Sequence, residues 1–232
     1  MTIKQNSDND SSRQHEQFHC HNCGRCCSHI RGQMSKEEYE LIRQVGYGGL
    51  PLIQLVSPDK LSFPLWPDEA RKLRSKGQEL GLSELRVIPL RAVFDLNTNT
   101  ALIVTYLFDH DNCPFLQKNA SGSSCLAYDC RPLICCQFPF QTPDQIVDFC
   151  PGVKDLSASR LDINSLNSEE KKHLFGDSFS AALEMHERMT KSNMKILDLI
   201  KQKKIRPAVN YPYEFLLRRI SNSKKLDFDE FE

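Results

Sequence analysis

The sequence predicts an α+β fold, in which a compact cysteine-rich core with a short β-hairpin and several helices is followed by a long C-terminal helix. Two stretches rich in β-branched and aromatic residues, 86–94 and 101–108, flank a polar segment that is typical of a hairpin loop. Helix-start signals occur before and after this hairpin. Residues 113–150 contain six cysteines and four prolines, a composition that predicts loops and short turns.

The elements before the hairpin follow from local signals. Residues 1–16 are polar and lack apolar periodicity, so they are predicted to be a disordered tail. Ser35 and the glutamate three residues later form a capping-box pattern, which predicts a helix that ends at the glycine-rich segment 46–49. Pro67 stands where a second helix can begin, with acidic residues in its first turn, and Gly81 is expected to end it.

A long helix is predicted near the end of the sequence. It is capped at Asp177 or the next residue and extends to about Lys201, with apolar residues at roughly helical spacing. Its buried side is predicted to include Phe179, Leu183, His186, Met189, Ile196, Leu197 and Ile200. The acidic segment 227–232 is expected to fray. The predicted division is therefore the tail, a cysteine-cluster domain at 17–155 and a helical C-terminal extension at 156–232.

Charge and hydropathy exclude several classes of function. The 30 Lys and Arg residues balance the 30 Asp and Glu residues, so the chain lacks the positive field that attracts nucleic acid or an anionic membrane. No apolar run approaches the roughly 18 residues that cross a bilayer. The first residues lack the pattern of a secretory signal. These observations predict a cytoplasmic protein that binds neither nucleic acid nor membrane.

The ten cysteines need an explanation other than disulfides, which are rare in the reducing cytosol. Four of them form a CxxCxxCC motif at Cys20, Cys23, Cys26 and Cys27. Two intervening residues let a tight turn direct both sulfurs at one metal, and Gly24 permits the unusual dihedral angles of such a turn. The second group, which has no further CxxC, comprises Cys113, Cys125, Cys130, Cys135, Cys136 and Cys150. The sequence therefore predicts that the fold brings the two groups together in a metal-binding core.

Several alternatives stay open at the level of the residues. Neighbouring side chains diverge in most backbone conformations, so Cys26 and Cys27 serve either different metals or one multinuclear centre. His19, His21 and His29 lie close enough in sequence to complete a Cys/His site, although the thiols suffice without them. Thiol redox chemistry and unligated buried thiols are the other interpretations of the cysteines.

Four blocks of the sequence together resemble the YkgJ-type cysteine-cluster family. They are FHCHNCGRCC at 18–27, CPFL at 113–116, CLAYDCRPLICCQFP at 125–139 and CPG at 150–152. That family is described as a zinc- or iron-chelating domain and is often labelled an iron–sulfur oxidoreductase. The flagellin lysine methylases of the same superfamily are reported to carry an iron–sulfur cluster.

The resemblance implies eight metal ligands, which are Cys20, Cys23, Cys26, Cys27, Cys113, Cys125, Cys135 and Cys150. Cys130 falls at a variable position of the family, and Cys136 stands where the family commonly has arginine. Each of these two is either an alternative ligand or a buried thiol. Tyr128 and Arg131 are candidate cofactor-binding residues or simply buttress the centre. Three arginines in or beside the cysteine blocks can donate hydrogen bonds to sulfur, namely Arg25, Arg31 and Arg131.

The expected cofactor is an iron–sulfur cluster, which is favoured, or zinc, because thiolates bind both metals. With a cluster, the protein is a candidate iron–sulfur oxidoreductase or redox accessory with a protein redox partner. One alternative is a non-catalytic zinc-stapled interaction module. Another is a protein-lysine methylase-like enzyme, which rests on superfamily analogy alone. A disulfide-rich secreted domain would require oxidised thiols.

Overall fold

A computed structural model describes residues 17–31, 35, 37, 40, 50–120, 122–158, 162–208 and 211–231. Over these ranges the protein is a mixed α+β fold, as the sequence predicts, with one four-stranded sheet and two small hairpin sheets. The predicted tail at 1–16 and most of the helix predicted from Ser35 lie outside the described residues. Within the described ranges, no helix combines the length and the apolar character that a membrane crossing requires.

Most elements are short, and the longer ones are two helices and the two strands of the predicted hairpin. The helices are α1 (Pro67–Glu79), α2 (Leu133–Cys136), α3 (Pro151–Ala158), α4 (Ser168–Phe175), α5 (Asp177–Lys201) and α6 (Tyr213–Ser221). The strands are β1 (Ile53–Gln54), β2 (Val87–Asp95), β3 (Thr100–Phe108), β4 (Leu116–Asn119), β5 (Gly122–Cys125), β6 (Phe140–Thr142), β7 (Gln145–Ile146) and β8 (Lys224–Asp227). The segment from 113 to 150 therefore holds only short elements, as predicted.

The main sheet is built around the predicted hairpin. Its strand order is β1-β2-β3-β8. β2 and β3 pair antiparallel, from Val87 opposite Phe108 to Asp95 opposite Thr100, which confirms the hairpin and its loop. β8 pairs with β3 in parallel, with Thr100 opposite Lys224. The segment at 156–232, which was predicted to be a helical extension, thus also adds a strand to this sheet.

β3 is covered on both faces, and all nine of its residues are buried. Successive side chains of a strand point to opposite sides. Ala101 and Ile103 join a front cluster with Ala70 and Leu73 of α1 and with α6. Leu102 and Val104 join a back cluster with α5. The hairpin is therefore the scaffold on which the helices pack.

A third hydrophobic cluster, the side cluster, lies where β6, α3, α4 and the start of α5 meet. Its buried members are Phe140, Val147, Cys150, Val153, Leu156, Ile163, Leu174, Phe175, Phe179 and Ala182. The ring of Phe140 contacts those of Phe175 and Phe179 at centroid distances of 4.9 Å and 5.3 Å. This cluster positions the chain around Cys150, one of the predicted ligands.

The helix α5 has the predicted length and end, but its N-cap is Gly176, so the predicted cap at Asp177 or the next residue is wrong. Its buried side also differs from the prediction. Its buried residues are Phe179, Ala181, Ala182, Ile196 and Leu199. Leu183, His186, Met189 and Leu197 are exposed instead, as the burial along the helix shows. The cause is that α5 packs on two different clusters, the side cluster at its start and the back cluster near its end. A single apolar stripe therefore does not describe it.

The acidic C-terminal segment is anchored, so the prediction that it frays is wrong for residues 227–231. Phe228 is 5% exposed and packs in the back cluster. The Arg71 guanidinium forms ion pairs with Asp227 and Asp229, and the Tyr106 hydroxyl donates a hydrogen bond to Asp227. Lys195 donates to the Phe231 carbonyl at 2.7 Å. The parallel pairing of β8 holds the same segment, and local sequence carries no signal for it.

Asp95 at the turn of the hairpin is expected to be important for stability. It is 0% exposed, and its carboxylate accepts hydrogen bonds from the amides of Asn97, Thr98 and Arg206 and from the Thr98 hydroxyl. Asp95→Ala leaves these donors without an acceptor, so we expect a loss of about 2–4 kcal/mol in the free energy of unfolding. Urea denaturation measures it. The exposed Asp59→Ala serves as the control and should leave the unfolding midpoint nearly unchanged; an equal effect of both changes would contradict this role.

Candidate metal centre

The CxxCxxCC segment forms a tight turn. Gly24 adopts φ 71° and ψ 7°, and the 3-10 turn Arg25–Cys27 follows it. The amides of Cys27 and Ser28 both donate to the Gly24 carbonyl, at 3.1 Å and 3.0 Å. The left-handed conformation favours glycine, so the sequence prediction for Gly24 is confirmed. This turn separates Cys20 and Cys23 from Cys26 and Cys27.

The first half of the segment packs against the side cluster. The amide of Phe18 donates to the Leu174 carbonyl at 2.9 Å, and the ring of Phe18 contacts that of Phe175. A Cβ on Gly152 would lie 2.4 Å from the His19 carbonyl oxygen, so the chain passes close to the start of α3. His21 Nε2 lies 2.7 Å from an Asp155 oxygen. These contacts bring Cys20 beside the segment that begins with Cys150.

From Asn22 to Cys27, the segment packs against the small β4–β5 hairpin and the loop before it. The Ser123 amide donates to the Asn22 carbonyl at 2.9 Å, and a Cβ on Gly24 would lie 2.6 Å from Ser123 Oγ. The Cys113 amide donates to the Cys27 carbonyl at 2.8 Å. Cys113 and Cys125 also pack against the front cluster. The two halves of one motif therefore contact two different hydrophobic clusters.

Five predicted ligands form what we call the large thiol group, which comprises Cys26, Cys27, Cys113, Cys125 and Cys135. The sulfur atoms of Cys26 and Cys27 lie 3.8 Å apart. A hydrogen bond with the Cys113 side chain is the main reason that the pKa of Cys27 is raised to about 12. Burial, and then the neighbouring charges of Cys27, Cys26 and Cys125, hold the pKa of Cys135 well above its usual range.

The other three predicted ligands, Cys20, Cys23 and Cys150, form the small thiol group. Cys150 is 6% exposed and belongs to the side cluster. Burial raises the pKa of its thiol, and the charges of Cys20 and Cys23 raise it further. Cys20 and Cys23 are exposed. The eight predicted ligands thus divide between two neighbourhoods, and the sequence had left open whether they serve one centre or more.

Cys136 has surroundings of a different kind, whereas Cys130 packs against the front cluster together with Cys113 and Cys125. Burial raises the pKa of Cys136, and its charged neighbours are Arg131, Glu69 and Glu184. Its sulfur contacts the Arg131 carbonyl at 3.6 Å. Burial and the charge of Asp129 raise the pKa of Cys130. Cys135 lies beside thiols whereas Cys136 lies beside carboxylates, which fits the interpretation that Cys136 is a buried thiol outside the ligand set.

The sulfur atoms of the described ranges lie in two neighbourhoods, but in neither are three of them close enough together to bind one metal ion as they stand. Among the described residues, which include the ten cysteines, no three sulfurs lie within 4.8 Å of one another. In the same ranges, the set of metal-ligating side chains that meets this limit is Asp227, Asp229 and Glu230. Those carboxylates surround Arg71, which balances their charge. Ligation by the thiols would therefore require side-chain rotations around a cation.

One of the three candidate arginines lies beside the thiols. The Arg131 guanidinium lies 4.0 Å above the centroid of the Tyr128 ring. Its charge acts to lower the pKa of Cys26, Cys125 and Cys136, against the larger effect of burial or hydrogen bonding. Its Nε atom is buried and has no hydrogen-bond partner in the part of the chain that the structure describes. A buried donor of this kind suits a centre that carries negative charge.

The other two arginines have different partners. Arg31 pairs with Asp109 and Asp111, the latter at 3.0 Å. Arg25 donates a long hydrogen bond of 3.5 Å to the Phe149 carbonyl. Arg31 Nε is, like Arg131 Nε, buried without a hydrogen-bond partner among the described residues. The predicted role as a donor toward sulfur is better supported for Arg131, because its charge acts on the pKa of Cys26, Cys125 and Cys136.

Comparison with known proteins does not extend this description. No protein-family model, curated protein or solved structure matches the chain. The resemblance to the YkgJ-type family rests on its cysteine blocks and stays a prediction.

Sequence reasoning missed Glu69, whose carboxylate accepts a hydrogen bond from the Leu133 amide, two residues before Cys135. The acidic first turn of α1 was recognised, but no local signal indicates that one of its carboxylates reaches a segment 64 residues away.

Gly24→Ala is expected to destabilise the protein more than Gly81→Ala, the same change in an ordinary turn. Both Gly24 and Gly81 have φ near 70°, but nothing lies within 4 Å of a Cβ on Gly81. Each alanine should cost about 1–2 kcal/mol for the left-handed conformation. Gly24→Ala should cost more and reduce metal retention, because its Cβ would displace the turn from Ser123. Thermal unfolding and bound metal per chain measure the two effects; equal losses in both variants would show that the close approach is unimportant.

Proposed function

We propose that this protein is a cysteine-thiolate metalloprotein of the cytoplasm, with an iron–sulfur cluster favoured over zinc. The observation that carries the proposal is the meeting of thiols from separate parts of the chain. Cys27 and Cys113 are joined by a 2.8 Å backbone hydrogen bond, and Cys125 lies near enough to raise the pKa of both Cys27 and Cys135. The eight proposed ligands are those of the two thiol groups.

The raised pKa of several thiols argues for metal binding over thiol catalysis. Reactive cysteines have a depressed pKa that makes the thiolate available. Here the pKa is raised for Cys26, Cys27, Cys125, Cys135 and Cys150. Crowded thiols without a cation favour the neutral form, because adjacent thiolates repel one another. A bound metal reverses this preference and deprotonates its ligands.

The two thiol groups differ in what they can hold. The large group has more than the four thiolates that an iron–sulfur cluster or a structural zinc requires. The small group has three, so a metal there would take a further ligand from another residue or from solvent. Arg131 would offset the negative charge of the large group, and Tyr128 holds the guanidinium by stacking beneath it. When bound, an iron–sulfur cluster supplies one-electron transfer, which suits an oxidoreductase or redox accessory with a protein partner.

A zinc-stapled interaction module is the second candidate function. The observation that favours it is the exposure of apolar residues on α5, where Leu183 is 45%, Met194 54% and Leu197 47% exposed. In an ideal helix these three lie on one side. An apolar side of this kind is typical of a surface that contacts another protein. In this function the metal stabilises the fold and has no redox role.

The deciding experiment is anaerobic purification of the full chain followed by elemental analysis and visible spectroscopy. Iron with inorganic sulfide and a brown colour would support the redox function. A colourless protein with stoichiometric zinc would support the interaction module instead. A folded native preparation with neither metal would overturn both.

Arg131→Ala is expected to change the metal centre without unfolding the protein. Removal of the guanidinium takes away the positive charge beside Cys26 and Cys125 and leaves Tyr128 unstacked. We expect about 10-fold weaker metal retention or a shifted reduction potential, as is usual when a residue that supports a metal ligand is lost. Chelator competition and redox titration measure these quantities. Arg31→Ala, which removes an arginine paired with Asp109, should leave both unchanged; the same effect from both variants would point to a general loss of charge.

A further inference from the structure

Glu69 connects the scaffold helix α1 to the segment that carries Cys135. The side chain is buried, with 7% of its surface exposed. One carboxylate oxygen accepts the Trp66 amide at 2.9 Å and so satisfies a free amide at the start of α1. The other accepts the Leu133 amide at 2.8 Å. A single carboxylate therefore binds the first turns of two helices.

The helix α2 depends on an acceptor from outside its own sequence. It is only four residues long, and Pro132 at its N-cap makes no side-chain cap. The amides of Cys135 and Cys136 donate to the Pro132 carbonyl at 2.9 Å and 3.0 Å. The Leu133 amide, at the start of the helix, donates to the Glu69 carboxylate instead. Without a partner, a partly buried amide of this kind destabilises the turn.

Side-chain packing alone does not define the orientation of α2. Leu133 packs against the back cluster and Ile134 against the front cluster, so α2 lies between two hydrophobic groups. Apolar contacts are non-directional, whereas the Glu69 hydrogen bond fixes the start of the helix at a defined distance from α1. Cys135 lies two residues after that point, beside Cys26 and Cys27.

We propose that Glu69 is a positioning residue for the large thiol group, which holds Cys135 in place through the Leu133 amide and has no part in the small thiol group. This inference rests on the proposed metal-binding function. Its selectivity follows from the fold, because Cys20, Cys23 and Cys150 adjoin the side cluster on other segments of the chain. Loss of the carboxylate should therefore weaken one thiol group and spare the other.

The test is a Co²⁺ titration of the full-length reduced protein, read by the thiolate-to-cobalt absorption in competition with a chelator. Cys20→Ser with Cys150→Ser removes the small group, and the combined changes Cys26→Ser, Cys27→Ser and Cys135→Ser leave the large group with only two thiols. Glu69→Ala is placed in each background. In the first background we expect about 10–100-fold weaker Co²⁺ binding, and in the second no change. Glu69→Gln, which keeps a carbonyl acceptor, should fall between wild type and Glu69→Ala in the first background.

Glu79→Ala is the matched control, because Glu79 lies on the same helix and pairs with Lys76 at the surface. It should leave Co²⁺ binding unchanged in both backgrounds. A purely structural role of Glu69 would lower the unfolding midpoint and weaken both thiol groups together, and that result would overturn the inference. Unchanged binding in both backgrounds would overturn it as well. If the wild-type protein itself binds no Co²⁺, the proposed function fails first and the positioning role fails with it.

Discussion

Replacement of Cys26, Cys27 and Cys135 by serine is expected to remove the metal of the large thiol group while the small group keeps its own. The reason is that the two groups lie on different hydrophobic clusters, with Cys113 and Cys125 against the front cluster and Cys150 in the side cluster. Serine preserves the size of the side chain but is a poor ligand for a soft metal. Metal content per chain, measured after gel filtration, should fall by the share that belongs to the large group.

The reciprocal variant, with Cys20 and Cys150 replaced by serine, should lose the remaining share. The matched control replaces Cys130 and Cys136, whose main charged neighbours are carboxylates and Arg131, and it should retain the full metal content. Complete metal loss in either of the first two variants would instead indicate one centre that spans all eight thiols. Metal loss in the control would add Cys130 or Cys136 to the ligand set.

Removal of the metal is expected to have the second large effect, a loss of stability whose size depends on pH. Structural Zn²⁺ sites in peptides contribute on the order of 10 kcal/mol of folding free energy. The described residues form four hydrophobic clusters without any metal, so we expect a smaller loss, with the chelated protein still folded at neutral pH. Urea denaturation with and without chelator measures the difference.

In the metal-free protein, stability should fall as the pH rises from 9.0 toward about 12. The hydrogen bond with Cys113 raises the folded-state pKa of Cys27 from 9.0 to about 12. The unfolded chain therefore releases this proton first, and deprotonation favours unfolding. The metal-bound protein should instead gain stability as the pH rises toward 9.0 and show no such fall above it, because protons compete with the metal for the ligands only at the lower pH. Parallel pH profiles of the two forms would contradict thiolate ligation.

The sequence predicts those parts of the fold that have local causes. The helix α1 follows from Pro67, its acidic first turn and Gly81, which adopts φ +70° after the helix ends. The hairpin follows from two apolar strands and a polar loop, and the loop is closed by the hydrogen bonds of Asp95. In each case the deciding interactions join residues that are close in the sequence.

The parts that the sequence did not predict depend on distant contacts. The pairing of β8 with β3 requires Lys224 to meet Thr100, and nothing in the acidic C-terminal segment indicates a strand. The orientation of α5 depends on which clusters it contacts, so the periodicity that placed Leu183 inside was wrong. The spacing of the apolar residues along α5 is compatible with more than one buried side of the helix.

The candidate site shows the same division. The CxxCxxCC motif and the turn at Gly24 can be recognised from the sequence, because both lie within a few residues. The division of the thiols could not, since it depends on the contact of Gly152 with His19 on one side and of Gly24 with Ser123 on the other. The role inferred for Glu69 also depends on a distant contact, with Leu133.

The order of the cysteines along the chain has a consequence for biosynthesis. The motif at Cys20 to Cys27 leaves the ribosome long before its partners, since contacts such as His29 with Asn112 join residues 83 positions apart. Translation proceeds at roughly 5–20 residues per second, so these thiols wait for seconds without the neighbours that surround them later. During that interval they are open to oxidation or to a stray metal ion. Under the proposed function, a metal donor or a reductant would therefore act on these thiols while the chain is still being made.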